Sequence, residues 1–142
     1  MQPEAIFAPV IALAGLTFAV LFYTGYKRFG AGFAGRVTGH DFRVGESPNV
    51  PADVAVANRN LMNLLELPVL FYVICIAAYV TRHVDTGMVS LAWAFVAARL
   101  AHTLIHLNYN RILYRFGAYV TGCLILLAMW GWFAVEVMGR AA

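Results

Sequence analysis

The chain of 142 residues is 62% hydrophobic and 12% charged, with a formal net charge of +3. A water-soluble domain carries about 25% charged residues, so the composition excludes one and leaves an integral membrane protein. The 10 basic residues bracket apolar runs without forming a continuous basic face, which excludes nucleic acid as a partner.

Four apolar stretches, each close to the ~20 residues that cross hydrocarbon, predict helices over about 5–28, 53–80, 88–107 and 112–137. The first, APVIALAGLTFAVLFYTGY, carries no charge between Glu4 and Lys27. Gln2, Pro3 and Glu4 offer no basic leader region, so this segment is expected to stay as an anchor. Arg28 closes the span, where a basic side chain snorkels toward the interface. In the connection from Phe29 to Ala52, Gly30-Ala31-Gly32-Phe33-Ala34-Gly35 fits the GxGxxG dinucleotide pattern. That fingerprint requires a preceding strand in a βαβ unit, and here it follows a membrane span, so the segment reads as a flexible cytoplasmic loop. Pro48 and Pro51 close the loop, and Pro51 with Asp53 suits the first turn of a helix.

The second helix places Arg59, Asn63 and Glu66 on one face by spacings of four and three. Pro68 removes a backbone hydrogen bond to Leu64 and predicts a kink near Glu66. The turn TRHVDTG, residues 81–87, then joins helices two and three as an antiparallel hairpin. Cys75 and Cys123 lie inside apolar helices without CxxC spacing and read as small buried hydrophobes.

The third helix is the least ordinary. At roughly 100° per residue, Arg99, His102, Thr103, His106 and Asn110 form one polar stripe, opposite Leu100, Ala101, Leu104 and Ile105. An ionised group at membrane depth costs at least ~2.5–3.5 kcal/mol, so the stripe is expected to face protein or a water-filled pocket. Arg99 needs a partner, and Glu66 is the only carboxylate at comparable depth. A structural Glu66–Arg99 ion pair that fixes helix register is therefore predicted. In the fourth helix Arg115 and Tyr119 share a face.

Lys27, Arg28, Arg36, Arg43, Arg59, Arg111 and Arg115 flank the first and third connections, against Arg82 and Arg140 on the other side. The asymmetry puts both connections in the cytoplasm and both termini on the non-cytoplasmic side of a multi-pass protein. The compact chain favours a bacterial inner membrane. Together these elements predict an all-α, antiparallel up-down four-helix bundle forming a single membrane domain over 1–142. Its cationic half suits a small anionic ligand from the cytoplasm, with lipid able to deliver an apolar second substrate. Arginine clamps carboxylates but cannot serve as a general base, so chemistry there is electrostatic activation. His102 and His106 at a spacing of four raise a haem or metal site. Bis-histidine haem needs ligands on facing helices, and His40 and His83 fall in loops at opposite ends, so neither metal nor haem is expected.

The sequence resembles the family of membrane-associated proteins in eicosanoid and glutathione metabolism, MAPEG, which includes microsomal glutathione transferases and prostaglandin E synthase. The residues that carry the resemblance are Arg99-Leu-Ala-His-Thr103 with Arg111, Arg115 and Tyr119 following, Thr24-Gly25-Tyr26-Lys27-Arg28, Asn58-Arg59-Asn60, and Asn63-Leu64-Leu65-Glu66-Leu67-Pro68. The resemblance implies a homotrimer that binds glutathione as co-substrate between subunits. It implies a glutathione-binding site of Arg28, Arg59, Asn63, Glu66, His102 and His106, with Arg28 from a neighbouring protomer, and Arg115 or Tyr119 holding the thiolate. The implied activity is a glutathione-dependent transferase or peroxidase acting on apolar electrophiles or lipid hydroperoxides. The alternative is a non-catalytic lipid-binding or scaffold member of the same fold. Two positions differ from the family pattern. One residue separates Glu66 from Pro68 where characterised enzymes have two or three, and His106 stands where the prostaglandin synthase branch has tyrosine.

Overall fold

The computed structural model describes residues 2–141, with side chains through residue 139; the Arg140 side chain counted in the charge asymmetry lies outside the described residues. A short 3-10 turn, Pro3–Ile6, leads into α1 (Phe7–Phe33), followed by α2 (Ala52–Val80), α3 (Thr86–Asn108) and α4 (Ile112–Ala141). All four are long and apolar enough to cross a membrane, with peak mean hydropathies of 2.4, 2.1, 1.5 and 1.8 in chain order. The minimum falls on α3, the helix that carries the polar stripe, and that stripe is turned inward. Arg99, His102, Thr103 and His106 are buried, whereas Leu100, Ala101 and Leu104 are exposed.

α1 continues past its expected end at Arg28 to Phe33 and takes Gly30 and Gly32 into its last turn. Gly35, at φ +67°, is what stops it. The Arg36 N–H donates to the Ala31 carbonyl at 2.9 Å and the Gly35 N–H to the Gly32 carbonyl at 3.0 Å, the two bonds of a Schellman cap. The glycine-rich run is thus a helix terminus, and no strand precedes it among the described residues. Beyond it the connection is held by Asp41. Its carboxylate accepts from the Thr38 N–H at 2.8 Å, the Ser47 hydroxyl at 2.7 Å and the Thr38 hydroxyl at 2.9 Å. Pro51 is the N-cap of α2 rather than its first helical residue, and Asp53 occupies the first turn. α2 runs through Pro68 without ending.

The turn between α2 and α3 repeats the cap of α1 with a non-glycine residue. Arg82 adopts φ 60°, and the His83 N–H reaches the Ala78 carbonyl at 2.8 Å. Asp85 then caps α3, its carboxylate accepting from the Met88 N–H at 2.7 Å. α1 packs chiefly on α2 and α4 chiefly on α3, and the two pairs join through α2–α3, α1–α3 and α2–α4 contacts. Phe71 of α2 stacks on Phe95 of α3 at 4.7 Å in the middle of the apolar core, which Leu13 of α1 and Met129 of α4 complete. Toward the basic end, polar cross-links replace apolar packing. The buried Thr24 hydroxyl donates to its own helix at Val20, 2.8 Å, and lies 3.1 Å from the Ala57 carbonyl of α2. Thr103 of α3 reaches Asn60 of α2 at 3.5 Å. In hydrocarbon such interhelical bonds are worth about 0.6 kcal/mol each, and they set register more than stability.

Candidate functional site

Near the basic end α2 and α4 flank a cleft of about 420 Å³, floored by α3. Its polar lining is Arg59, Asn63 and Glu66 from α2, His102 and His106 from α3, and Arg115 and Tyr119 from α4. Three stripes chosen by helical spacing thus converge on one cavity. Seven of the eight expected ligand-contacting residues line it, because α2, α3 and α4 each turn an i, i+3/i+4 face to the same axis. The eighth, Arg28, is elsewhere in the chain. Its Nη2 donates to Glu46 at 3.2 Å and its guanidinium lies 4.9 Å from the Phe42 ring, at an apolar hollow beside the first connection.

Arg115 and Tyr119, one helical turn apart, form the α4 wall. Arg115 is anchored by Asn110, whose Oδ1 accepts from Nη1 at 2.7 Å. Asn110 turns the chain between α3 and α4 at φ 43°, a left-handed conformation that asparagine tolerates better than most residues. Its backbone N–H donates to the Ile105 carbonyl at 2.7 Å. The sequence places Asn110 on the polar stripe, but its use as a tether for Arg115 follows only from the turn. Asn63 spends one amide hydrogen on the Arg59 carbonyl at 2.9 Å, which leaves its side-chain oxygen available to the cleft. The lip is apolar, formed by Met62, Ile112 and Phe116, which are 49%, 71% and 64% exposed.

The expected Glu66–Arg99 ion pair does not form. Arg99 is fully buried, and none of its three guanidinium nitrogens has a hydrogen-bond partner. It turns away from α2 into the α3–α4 interface, where its guanidinium carbon lies 5.0 Å from the Phe95 ring centroid and 5.1 Å from that of Tyr119. Gly122 makes the room, since a Cβ built there would lie 2.6 Å from Arg99 Nη2. Glu66 meanwhile stays exposed on the cleft wall. Depth along the helices matched the two residues, but the missing side chain at Gly122 gave the guanidinium a nearer place to go.

His102 is the hub of the floor. Its ring is 5.6 Å from that of His106 and 6.0 Å from that of Tyr119. Both His106 ring nitrogens are buried without a partner. No group of three or more histidine, cysteine, aspartate or glutamate side chains is placed to hold a metal among the described residues. The cleft carries two arginines against one carboxylate, a cationic excess that favours an anionic ligand.

A family model described as the MAPEG family matches residues 6–135 and so spans all four helices. The chain belongs to the MAPEG family. No curated protein and no solved structure matches it. The MAPEG match includes every residue of the cleft, from Arg59 to Tyr119, as well as Arg28.

Proposed function

We propose that the cleft binds glutathione and activates its thiol for reaction with an apolar electrophile or lipid hydroperoxide delivered from the bilayer. The convergence of Arg59, Asn63, Glu66, His102, His106, Arg115 and Tyr119 on one cavity with an apolar lip carries this reading. Glutathione is a tripeptide with two carboxylates, one ammonium and a thiol. Arg59 supplies a carboxylate clamp, Glu66 suits the ammonium, and the Asn63 carbonyl accepts from a peptide N–H. His102 and His106 bound the floor.

Arg115 and Tyr119 are the groups suited to the sulfur. A free thiol ionises near pH 8.5, and each unit of depression corresponds to about 1.4 kcal/mol of preference for the anion. A guanidinium and a phenol O–H directed at sulfur supply such preference without taking a proton, which passes to water. The thiolate then attacks the electrophile, or attacks the distal oxygen of a hydroperoxide. In the second case the S–O bond forms as the O–O bond breaks, and the alkoxide leaves and takes a proton from water as the alcohol. A second glutathione reduces the resulting sulfenic acid to the disulfide with release of water. Met62, Ile112 and Phe116 suit the apolar body of that second substrate.

The cleft is open in a single chain, with Arg59 and Glu66 exposed on α2. A carboxylate at membrane depth is costly unless protein or water covers it. Closure by a second copy, as in a homotrimer, removes that cost and brings a neighbour's Arg28 to the site. The end of α1 that bears Arg28 would face the cytoplasm, where glutathione is abundant.

The test is ultraviolet difference absorbance of glutathione bound to the detergent-purified protein, near 240 nm, where a thiolate absorbs and a thiol does not. Arg115→Ala is expected to lose the thiolate signal and at least ~100-fold in turnover, about the effect of removing one oxyanion-stabilising donor, with oligomer content unchanged. Full activity in the variant removes Arg115 from the role. Lipid binding by a wild-type protein that neither binds nor turns over glutathione would replace this reading with the non-catalytic one.

A further inference from the structure

Arg99 is a guanidinium with no acceptor, fully buried at membrane depth, and outside the cleft. Buried polar groups in proteins are nearly always hydrogen-bonded, and an orphaned charge is the costliest exception, so its persistence calls for a use. Three observations bear on what that use is. The guanidinium lies 5.1 Å from the centroid of Tyr119, a residue that lines the cleft. Phe95 flanks the same guanidinium at 5.0 Å, and Phe95 is itself stacked on Phe71 in the core. Gly122, one turn beyond Tyr119 on α4, leaves the space that the guanidinium fills.

We infer that Arg99 is a positioning residue for Tyr119: its guanidinium, held between the two aromatic rings, fixes the tyrosine ring and adds a constant positive charge behind the cleft that favours an anionic sulfur at the Tyr119 hydroxyl. This rests on the reading of the cleft as a glutathione site. Two consequences follow from the surroundings. Cation–π attraction strengthens as water is removed, and Arg99 is wholly removed from water, so the ring contact is of the strong kind. The charge also acts through protein rather than solvent, so salt barely screens it. The other charged or titratable groups around Tyr119 are Arg59 and Glu66 of α2, His102 and His106 of α3, and Arg115 of its own helix, all on the cleft, with Cys123 of α4 on the Arg99 side. Of these, Arg59, Glu66 and Arg115 reach the open cleft and exchange with solvent ions. Arg99 is distinguished by being sealed in and permanently charged.

The arrangement separates two substitutions that a scaffold role would not. Arg99→Met removes the charge, fills similar volume and leaves no polar group orphaned. Gly122→Ala keeps the arginine but places a methyl where its guanidinium lies, and the mobile end of the arginine side chain, rather than backbone, is what must yield.

The experiment titrates the thiolate absorbance of bound glutathione against pH in the wild type, Arg99→Met, Arg99→Lys and Gly122→Ala. Binding of S-methylglutathione, whose sulfur cannot ionise, serves as the measure of site integrity. A second readout is the 19F resonance of 3-fluorotyrosine placed at position 119. The expected result is a rise of about one pH unit in the thiolate midpoint for Arg99→Met and Gly122→Ala, roughly tenfold less thiolate at fixed pH, with S-methylglutathione affinity within about twofold of wild type. Arg99→Lys is expected to recover part of the shift, since it restores charge but not the planar stack. The fluorotyrosine resonance is expected to move and sharpen in Met and Ala variants as the ring is released. An unchanged midpoint beside an unchanged resonance overturns the inference, as does a midpoint that rises only in proportion to lost S-methylglutathione binding. If wild-type protein forms no thiolate, the glutathione reading fails by itself. The resonance then decides the Arg99–Tyr119 contact: a shift in both variants retains it, and no shift in either removes it.

Discussion

Asn110 does two jobs with one residue. Its backbone makes the left-handed turn that separates α3 from α4, and its side chain holds Arg115 at 2.7 Å. The jobs separate by substitution. Asn110→Gly keeps the backbone conformation and drops the tether, so thermal stability is expected to hold within about 0.5 kcal/mol while glutathione turnover falls several-fold. Asn110→Ala loses both, and a further destabilisation of about 1 kcal/mol is expected from the strained φ. Melting temperature and turnover measured on the two variants check this, and equal turnover in Asn110→Gly and wild type would remove the tether from the mechanism. At this scale the sequence was partly legible. The spacing of His102, His106, Arg115 and Tyr119 declares their shared faces, because helix geometry alone sets which residues are neighbours one turn apart. The fate of Arg99 was not legible, since it depends on a side chain that Gly122, 23 positions further along the chain, does not have.

Helix ends tell a similar story at the scale of elements. Glycine is a poor helix former by about 1 kcal/mol relative to alanine, so Gly30 and Gly32 read as the start of a loop. Helix α1 nonetheless continues to Phe33, because an apolar helix in a membrane retains its backbone hydrogen bonds wherever it can, and the stop comes at the one glycine with positive φ in that run, Gly35. The connection that follows is ordered around Asp41. The Thr38 N–H, then the Ser47 and Thr38 hydroxyls, hold its carboxyl at about 2, below an ordinary 3.8. A depressed carboxylate contributes its stabilisation above the unfolded value and loses it as pH falls through the folded one. The connection is therefore expected to be intact above about pH 4 and to open progressively between about pH 4 and 2. Pepsin cleavage beside Phe42, followed as a function of pH, is expected to rise steeply across that window. Asp41→Asn is expected to show the raised cleavage already at pH 4.

For the molecule as a whole, the charges make an asymmetric object of a nearly symmetric bundle. The two basic connections, α1–α2 and α3–α4, occupy one end, along with the cleft, and the opposite end holds Arg82 and the described N-terminal turn. By that asymmetry the cleft end is the one proposed to face the cytoplasm. A cysteine introduced at Asn49, exposed in the first connection, is expected to react with a membrane-impermeant maleimide only when the cytoplasmic face is accessible. Labelling from the opposite side would reverse the orientation. Fold class and span number were readable because hydrocarbon imposes length and backbone satisfaction on any spanning segment. The convergence of three polar faces on one cavity required the packing of α4 on α3, which no single-helix pattern encodes.

Under the proposed function, the apolar lip of the cleft, made by Met62, Ile112 and Phe116, sets the units in which a second substrate is met. A hydrophobic molecule that arrives sideways from the bilayer is met at its mole fraction among lipids, not at its bulk molarity. The proposed catalysis at such a mouth is expected to obey surface dilution: adding inert lipid while holding total substrate constant slows turnover, although nothing in the aqueous phase has changed. The same opening makes membrane partitioning part of the specificity, so that two electrophiles of equal intrinsic reactivity are ranked by how strongly each prefers the bilayer to water.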